Sequence, residues 1–187
     1  LALDALRQAH DLAQMQSVWE KLAATEKTMP ELVLAAAQRA NELLAQHPDV
    51  AEEDRLASVR QVLAWLEPIW PQTGALDGDA QRRLVRVIEP ALADLDSTWL
   101  SRIERVQQEQ PGNPYWQYLV GQACMRRRLW GKAAMLLGQA RHGLKDPVLL
   151  RRTWCSLARL AEERGDAAAA LVAWQTAAEI ENSPLRR

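Results

Sequence analysis

The chain has 187 residues, 48% of them hydrophobic, which is enough to bury one core or one short helical stack without disulfides or metal. Lysine and arginine number 23 against 24 aspartates and glutamates, so no global field gathers nucleic acid or an anionic bilayer, and a polyanionic partner is not expected. Cys124 and Cys155 are too few for a disulfide framework and lie in no Cys-x-x-Cys context, which leaves both as reduced core or groove residues.

Apolar residues recur at three- and four-residue steps along almost the whole chain and no alternating strand pattern occurs, so an all-α fold is expected. Punctuation falls at Met29-Pro30, His47-Pro48-Asp49, Pro71 to Gly78, Pro111-Gly112-Asn113-Pro114, His142-Gly143, Asp146-Pro147 and Gly165-Asp166. Helices of about 10 to 17 residues joined by short loops remain, the grammar of antiparallel helix pairs. No run approaches the ~18 to 20 apolar residues of a membrane span, so the fragment is expected to be soluble. It opens at Leu1 inside a helical pattern, from which further chain is expected to precede it.

In chain order, an apolar triplet at i, i+4 and i+7 followed five residues later by proline marks the second helix of each hairpin. Val18, Leu22 and Thr25 precede Pro30; Val59, Leu63 and Leu66 precede Pro71; Trp99, Ile103 and Val106 precede Pro111. The two later copies are richer. Gly121, Cys124, Trp130, Ala133, Leu137 and Ala140 form one. Trp154, Leu157-Ala158, Ala161, Gly165-Asp166, Ala170, Trp174 and Ala177 form the other, 37 residues on when Ala133 is aligned with Ala170. These residues match the tetratricopeptide pattern in order. The expected architecture is a right-handed superhelix of stacked antiparallel hairpins in one domain over 1–187, with degenerate hairpins over 1–112 and clearer units at 113–146 and 147–182. Small residues at Gly121, Ala133, Ala158 and Ala170 let helices approach, while Trp130, Leu137, Trp154 and Trp174 fill the space between hairpins.

Three segments also carry a family resemblance: Gly121 through Trp130-Gly131-Lys132-Ala133 to Ala140, the run Leu157 to Asp166, and Trp19-Glu20-Lys21-Leu22 with Pro30-Glu31-Leu32-Val33. Together they resemble the C-terminal repeat region of the HemY family, Gram-negative inner-membrane proteins associated with late haem synthesis. The resemblance implies an N-terminal membrane-anchored portion absent from this chain, a repeat domain on the cytoplasmic face, and a role in porphyrin or haem handling. Nothing in the chain resembles the flavin-dependent oxidase that shares the family's name.

No His-Glu-x-x-His, Gly-x-Ser-x-Gly or phosphate-cradling glycine loop occurs, and His10, His47 and His142 fall on different expected hairpins. Glu52-Glu53-Asp54 and Glu162-Glu163 read as solvated helix faces. The expected role is therefore that of a non-enzymatic scaffold for protein partners, which the resemblance makes porphyrin-pathway enzymes, with no cofactor. Direct capture of haem or porphyrin is the alternative. Carrying the groove-facing positions of the tetratricopeptide motif onto the two clear units selects Tyr115, Tyr118, Gln122 and Arg126, then Arg152, Cys155 and Arg159. Tyrosine supplies flat contact area and arginine pairs with carboxylates while stacking on planar groups. As a plainer alternative, Arg126-Arg127-Arg128 is a charged helix end complementing the dipole. Tyr118 and Gln122 stand where a chaperone-type carboxylate clamp wants Lys and Asn, which disfavours a terminal-peptide clamp.

Overall fold

The computed structural model describes residues 1–182, and among them it is all-helical, with ten α-helices packed against their neighbours and no strand. The chain divides into two compact units, Leu1–Asp94 and Leu95–Arg187.

The first unit contains α1 (Ala2–Gln8), α2 (Leu12–Glu20), α3 (Pro30–Gln46), α4 (Glu52–Leu66) and α5 (Gly78–Ile88). Its organiser is α3, which packs against α1, α2, α4 and α5. Leu32 through Ala37 are buried without interruption, the mark of a helix with no solvent face along that stretch, and three successive alanines let the surrounding helices approach closely. Prolines set where the helices stop. Pro68 and Pro71 fall in a 3-10 segment, Glu67–Ala75, that continues from α4, and Pro90 ends α5 in a short 3-10 turn, Glu89–Ala91. The triplet Val59, Leu63 and Leu66 lies on α4 as expected, with Leu66 fully buried. The triplet Val18, Leu22 and Thr25 does not share a helix. α2 ends at Glu20, Leu22 is buried beyond it, and Thr25 is exposed before a 3-10 turn. A threonine on the apolar face offers too little burial to extend the helix past Glu20.

Arg55 fixes α4 to the chain after α5. Its guanidinium holds both oxygens of Asp94 at 2.8 and 3.2 Å and both oxygens of Glu52 at 2.8 and 2.6 Å. The Arg55 hydrogen bond holds the Glu52 carboxyl below the usual carboxylate range. This contribution to stability is present above the ordinary glutamate pKa and is lost as pH falls through the depressed one.

The second unit contains α6 (Ser97–Glu109), α7 (Pro114–Arg126), α8 (Trp130–Gly143), α9 (Pro147–Glu163) and α10 (Ala167–Asn182). α7 pairs with α8 and α9 with α10, while α6 packs on α7, α8 on α9 and α7 on α9. Asn113-Pro114 and Asp146-Pro147 start α7 and α9 in the same way: the first side chain caps the helix and proline occupies a position whose N–H would have no partner. Ala133 and Ala158 are fully buried and Ala170 nearly so, as their small size and helical spacing predict.

The two hairpin turns are equivalent. After α7, Leu129 N–H donates to Cys124 O at 2.9 Å and Arg128 N–H to Met125 O at 3.1 Å; after α9, Asp166 N–H donates to Ala161 O and Gly165 N–H to Glu162 O, both at 2.9 Å. Both are Schellman closures with a left-handed residue, Gly165 at φ 73° and Arg128 at φ 57°. The two positions are 37 residues apart, the period read from Ala133 and Ala170. Gly131 occupies the first turn of α8. A side chain in the left-handed region is strained where glycine is not. Arg128→Gly should therefore stabilise the protein by about 0.5–1 kcal/mol and Gly165→Ala should destabilise it by a similar amount. Urea midpoints of the two variants check both signs, and equal midpoints would refute the equivalence.

Candidate functional site

The residues expected to line a groove lie on α7 and α9, but not all at a surface. Tyr118 is fully buried and Gln122 is only 7% exposed. The Ser156 hydroxyl on α9 lies 3.0 Å from Gln122 Nε2 and 3.2 Å from Oε1, so this pair joins the two helices from inside. At this burial neither Tyr118 nor Gln122 offers contact area to a partner. Tyr115 and Cys155 are half-buried. Arg126, Arg152 and Arg159 are exposed, with Arg126 Nη1 donating to Gln122 O at 3.4 Å. Cys124 is buried, and burial pushes its thiol pKa up, which keeps it protonated and unreactive.

His142 and Glu162 have local partners. Arg141 donates to the His142 ring at 3.2 Å and lies 5.1 Å over Trp154, and the Trp174 indole donates to Glu162 at 2.8 Å. Trp19 and Trp65 pack with ring centroids 5.0 Å apart in the first unit. Among the described residues no group of three His, Cys, Asp or Glu side chains could hold a metal ion, and no helix is long and apolar enough to cross a membrane.

A more developed concave site lies in the first unit, on α1, α3 and α5, and sequence reasoning missed it. α3 touches both α1 and α5, so the three helices present one continuous surface. Ala35 leaves room above α3 for a depression of about 420 Å³, lined by Arg7 of α1, by Gln38, Arg39 and Glu42 of α3, and by Asp79 and Arg83 of α5. Arg39 is anchored, with Nε donating to Ala9 O at 2.9 Å and Nη1 to Glu42 at 3.1 Å. Asp79 pairs with Arg82 at 2.5 Å, and that hydrogen bond, assisted by the nearby charge of Arg83, holds its carboxyl below the usual range. A second depression of about 580 Å³ shares Asp79 and Arg83 and extends past Glu31 and Asp77 toward Gln72 and Leu76. Together they form a surface with arginines at one end and, at the other, acids set among Pro30, Leu34 and Leu76.

Compared with family models, with curated proteins and with solved structures, the chain matches none.

Proposed function

We propose that this protein is a non-catalytic scaffold that holds a protein partner along the first helices of a tetratricopeptide-like superhelix of stacked hairpins. The observation that carries the reading is the depression on α1, α3 and α5, which draws polar side chains from three helices into one concave surface. In the repeat register these are successive first helices, whose exposed sides line the concave face of such a stack. Packing of α1 on α3, α3 on α5 and α7 on α9 supports that register, as do the equivalent turns at Arg128 and Gly165.

The partner class comes from the resemblance carried by Trp19 to Leu22, Gly121 to Ala140 and Leu157 to Asp166. On that reading the chain is the repeat region of a HemY-like protein, anchored to the bacterial inner membrane with its repeats on the cytoplasmic face, and it gathers enzymes of late porphyrin and haem synthesis. Photoreactive residues at Gln38 and Arg83 of the full-length protein in cells test this, with Arg60 on α4 as the control position. Crosslinks to porphyrin-pathway enzymes from Gln38 and Arg83, and not from Arg60, are the expected result. Equal trapping from all three positions would remove the groove from the proposal.

A further inference from the structure

We infer that the depression on α1, α3 and α5 is a site for an extended peptide whose acidic side chains meet Arg7, Arg39 and Arg83, and which turns neutral or basic beyond Arg83. This rests on the reading that the concave surface holds a protein partner, and it names the chemistry of the segment held.

Arginines outnumber acids within the depression. Its two acids are already answered, Glu42 by Arg39 and Asp79 by Arg82. Arg7 makes no ion pair among the described residues, Arg83 acts on Asp79 through its charge without a hydrogen bond, and Arg39 has spent Nε and Nη1 inside the protein. Three guanidinium groups from three helices therefore meet at one surface with unspent donors. Arginine is the cation best suited to such a place, because it is weakly hydrated and binds carboxylates through two parallel hydrogen bonds. Complementing the helix dipole would explain Arg7 in the last turn of α1, but it does not explain why Arg39 and Arg83, from mid-helix positions, line the same depression.

Packed helices lie about 8–10 Å apart, so arginines rooted on α1, α3 and α5 offer anchor points to a ligand longer than one residue. An extended chain advances about 3.3 Å per residue, which brings a side chain to each arginine at roughly every third position. A flexible peptide with spaced acids fits this layout, and displacement by inorganic phosphate distinguishes it from a single small anion.

Beyond Arg83 the adjoining depression carries the acids Glu31 and Asp77 among apolar residues such as Leu34 and Leu76, so the charge of the surface reverses there. An acidic segment running past Arg83 would meet like charge, which disfavours that register. The favoured ligand carries its acids over Arg7 and Arg39 and a neutral or basic segment over Glu31 and Asp77.

The test is fluorescence anisotropy with labelled synthetic peptides of about twelve residues. One carries glutamate at every third position in one half and lysine in the other; a second replaces every charge by glutamine or serine. Expected is binding of the charged peptide to the wild-type chain, weaker at about 300 mM than at about 50 mM salt, and about tenfold weaker to the Arg7→Glu/Arg83→Glu variant. The variant's helix content and melting are measured alongside. Binding is recovered in the variant by a peptide with lysines in place of the glutamates, a result that a misfolded variant cannot give. Equal binding of the uncharged peptide, or full displacement by inorganic phosphate, overturns the inference. If crosslinks from Gln38 and Arg83 trap pathway enzymes while the charged peptide fails to bind, the acidic specificity falls and the scaffold stands. The reverse pattern retains the acidic site and removes the pathway reading.

Discussion

Gly121→Ala lowers the stability of the second unit by about 1–3 kcal/mol, the ordinary cost of forcing one extra group into a packed helix interface. A methyl group at Gly121 would stand 2.7 Å from Leu137 Cγ and 2.8 Å from Cδ2, with the Leu137 backbone nitrogen at 3.4 Å. Cγ is the branch point of the leucine rather than its mobile end, and Leu137 is fully buried, so relief requires either a rotamer change in a filled core or separation of α7 from α8. Helix propensity alone predicts the opposite sign, since alanine favours a helix interior over glycine by about 1 kcal/mol. The sign of the change therefore decides between local preference and close packing. Leu137→Ala alone should cost about 2–5 kcal/mol by opening a cavity. In the double variant the new methyl enters space that the leucine has vacated, so the combined loss should fall short of the sum of the single losses. Urea denaturation of the four proteins measures this. Strict additivity, or a stabilised Gly121→Ala, would mean that α7 and α8 do not meet at this glycine.

How much of this was legible in the sequence depended on whether the deciding interaction was local. Asn113-Pro114, Asp146-Pro147 and Gly165-Asp166 each carry a complete local instruction, a cap or a left-handed turn, and each lies where the chain starts or ends a helix. Gly121, Ala133, Ala158 and Ala170 were readable because small residues at helical spacing have one obvious use, and all four are buried. Arg128 was not readable as a turn residue, since only closure of the α7–α8 hairpin forces it to the left-handed conformation that glycine adopts at the next turn. The placement of Tyr118 and Gln122 in a groove came from transferring repeat positions. A local signal pointed the other way: no charged residue occurs from Pro114 to Met125, so α7 has no side suited to water, and Trp116 through Cys124 are buried. The site on α1, α3 and α5 was illegible for the opposite reason. Arg7, Arg39 and Arg83 are far apart in the chain and carry no shared motif, and the packing of three helices is what assembles them.

Ser156→Ala should cost about 1–3 kcal/mol, the penalty for leaving a buried amide without its partner. Gln122 reaches Ser156 from the middle of α7, where the surrounding residues are apolar and little water is available to replace the lost hydroxyl. Gln122→Leu should cost a comparable amount, because it strands the Ser156 hydroxyl, itself 6% exposed. With both partners made apolar, the interface loses its hydrogen bonds but retains no unsatisfied group, and the double variant should be close to wild type. A scaffold whose partner touches Gln122 directly would behave differently, since Gln122→Leu would then weaken partner binding even in the background of Ser156→Ala. Melting of the single and double variants, read beside crosslinking efficiency from a photoreactive residue at Arg159 on α9, separates the two roles. Loss of stability in both single variants, recovery in the double, and unchanged crosslinking assign Gln122 to holding α7 against α9. Loss of crosslinking in the stable double variant would instead return Gln122 to the binding surface and require α7 to open when the partner is engaged.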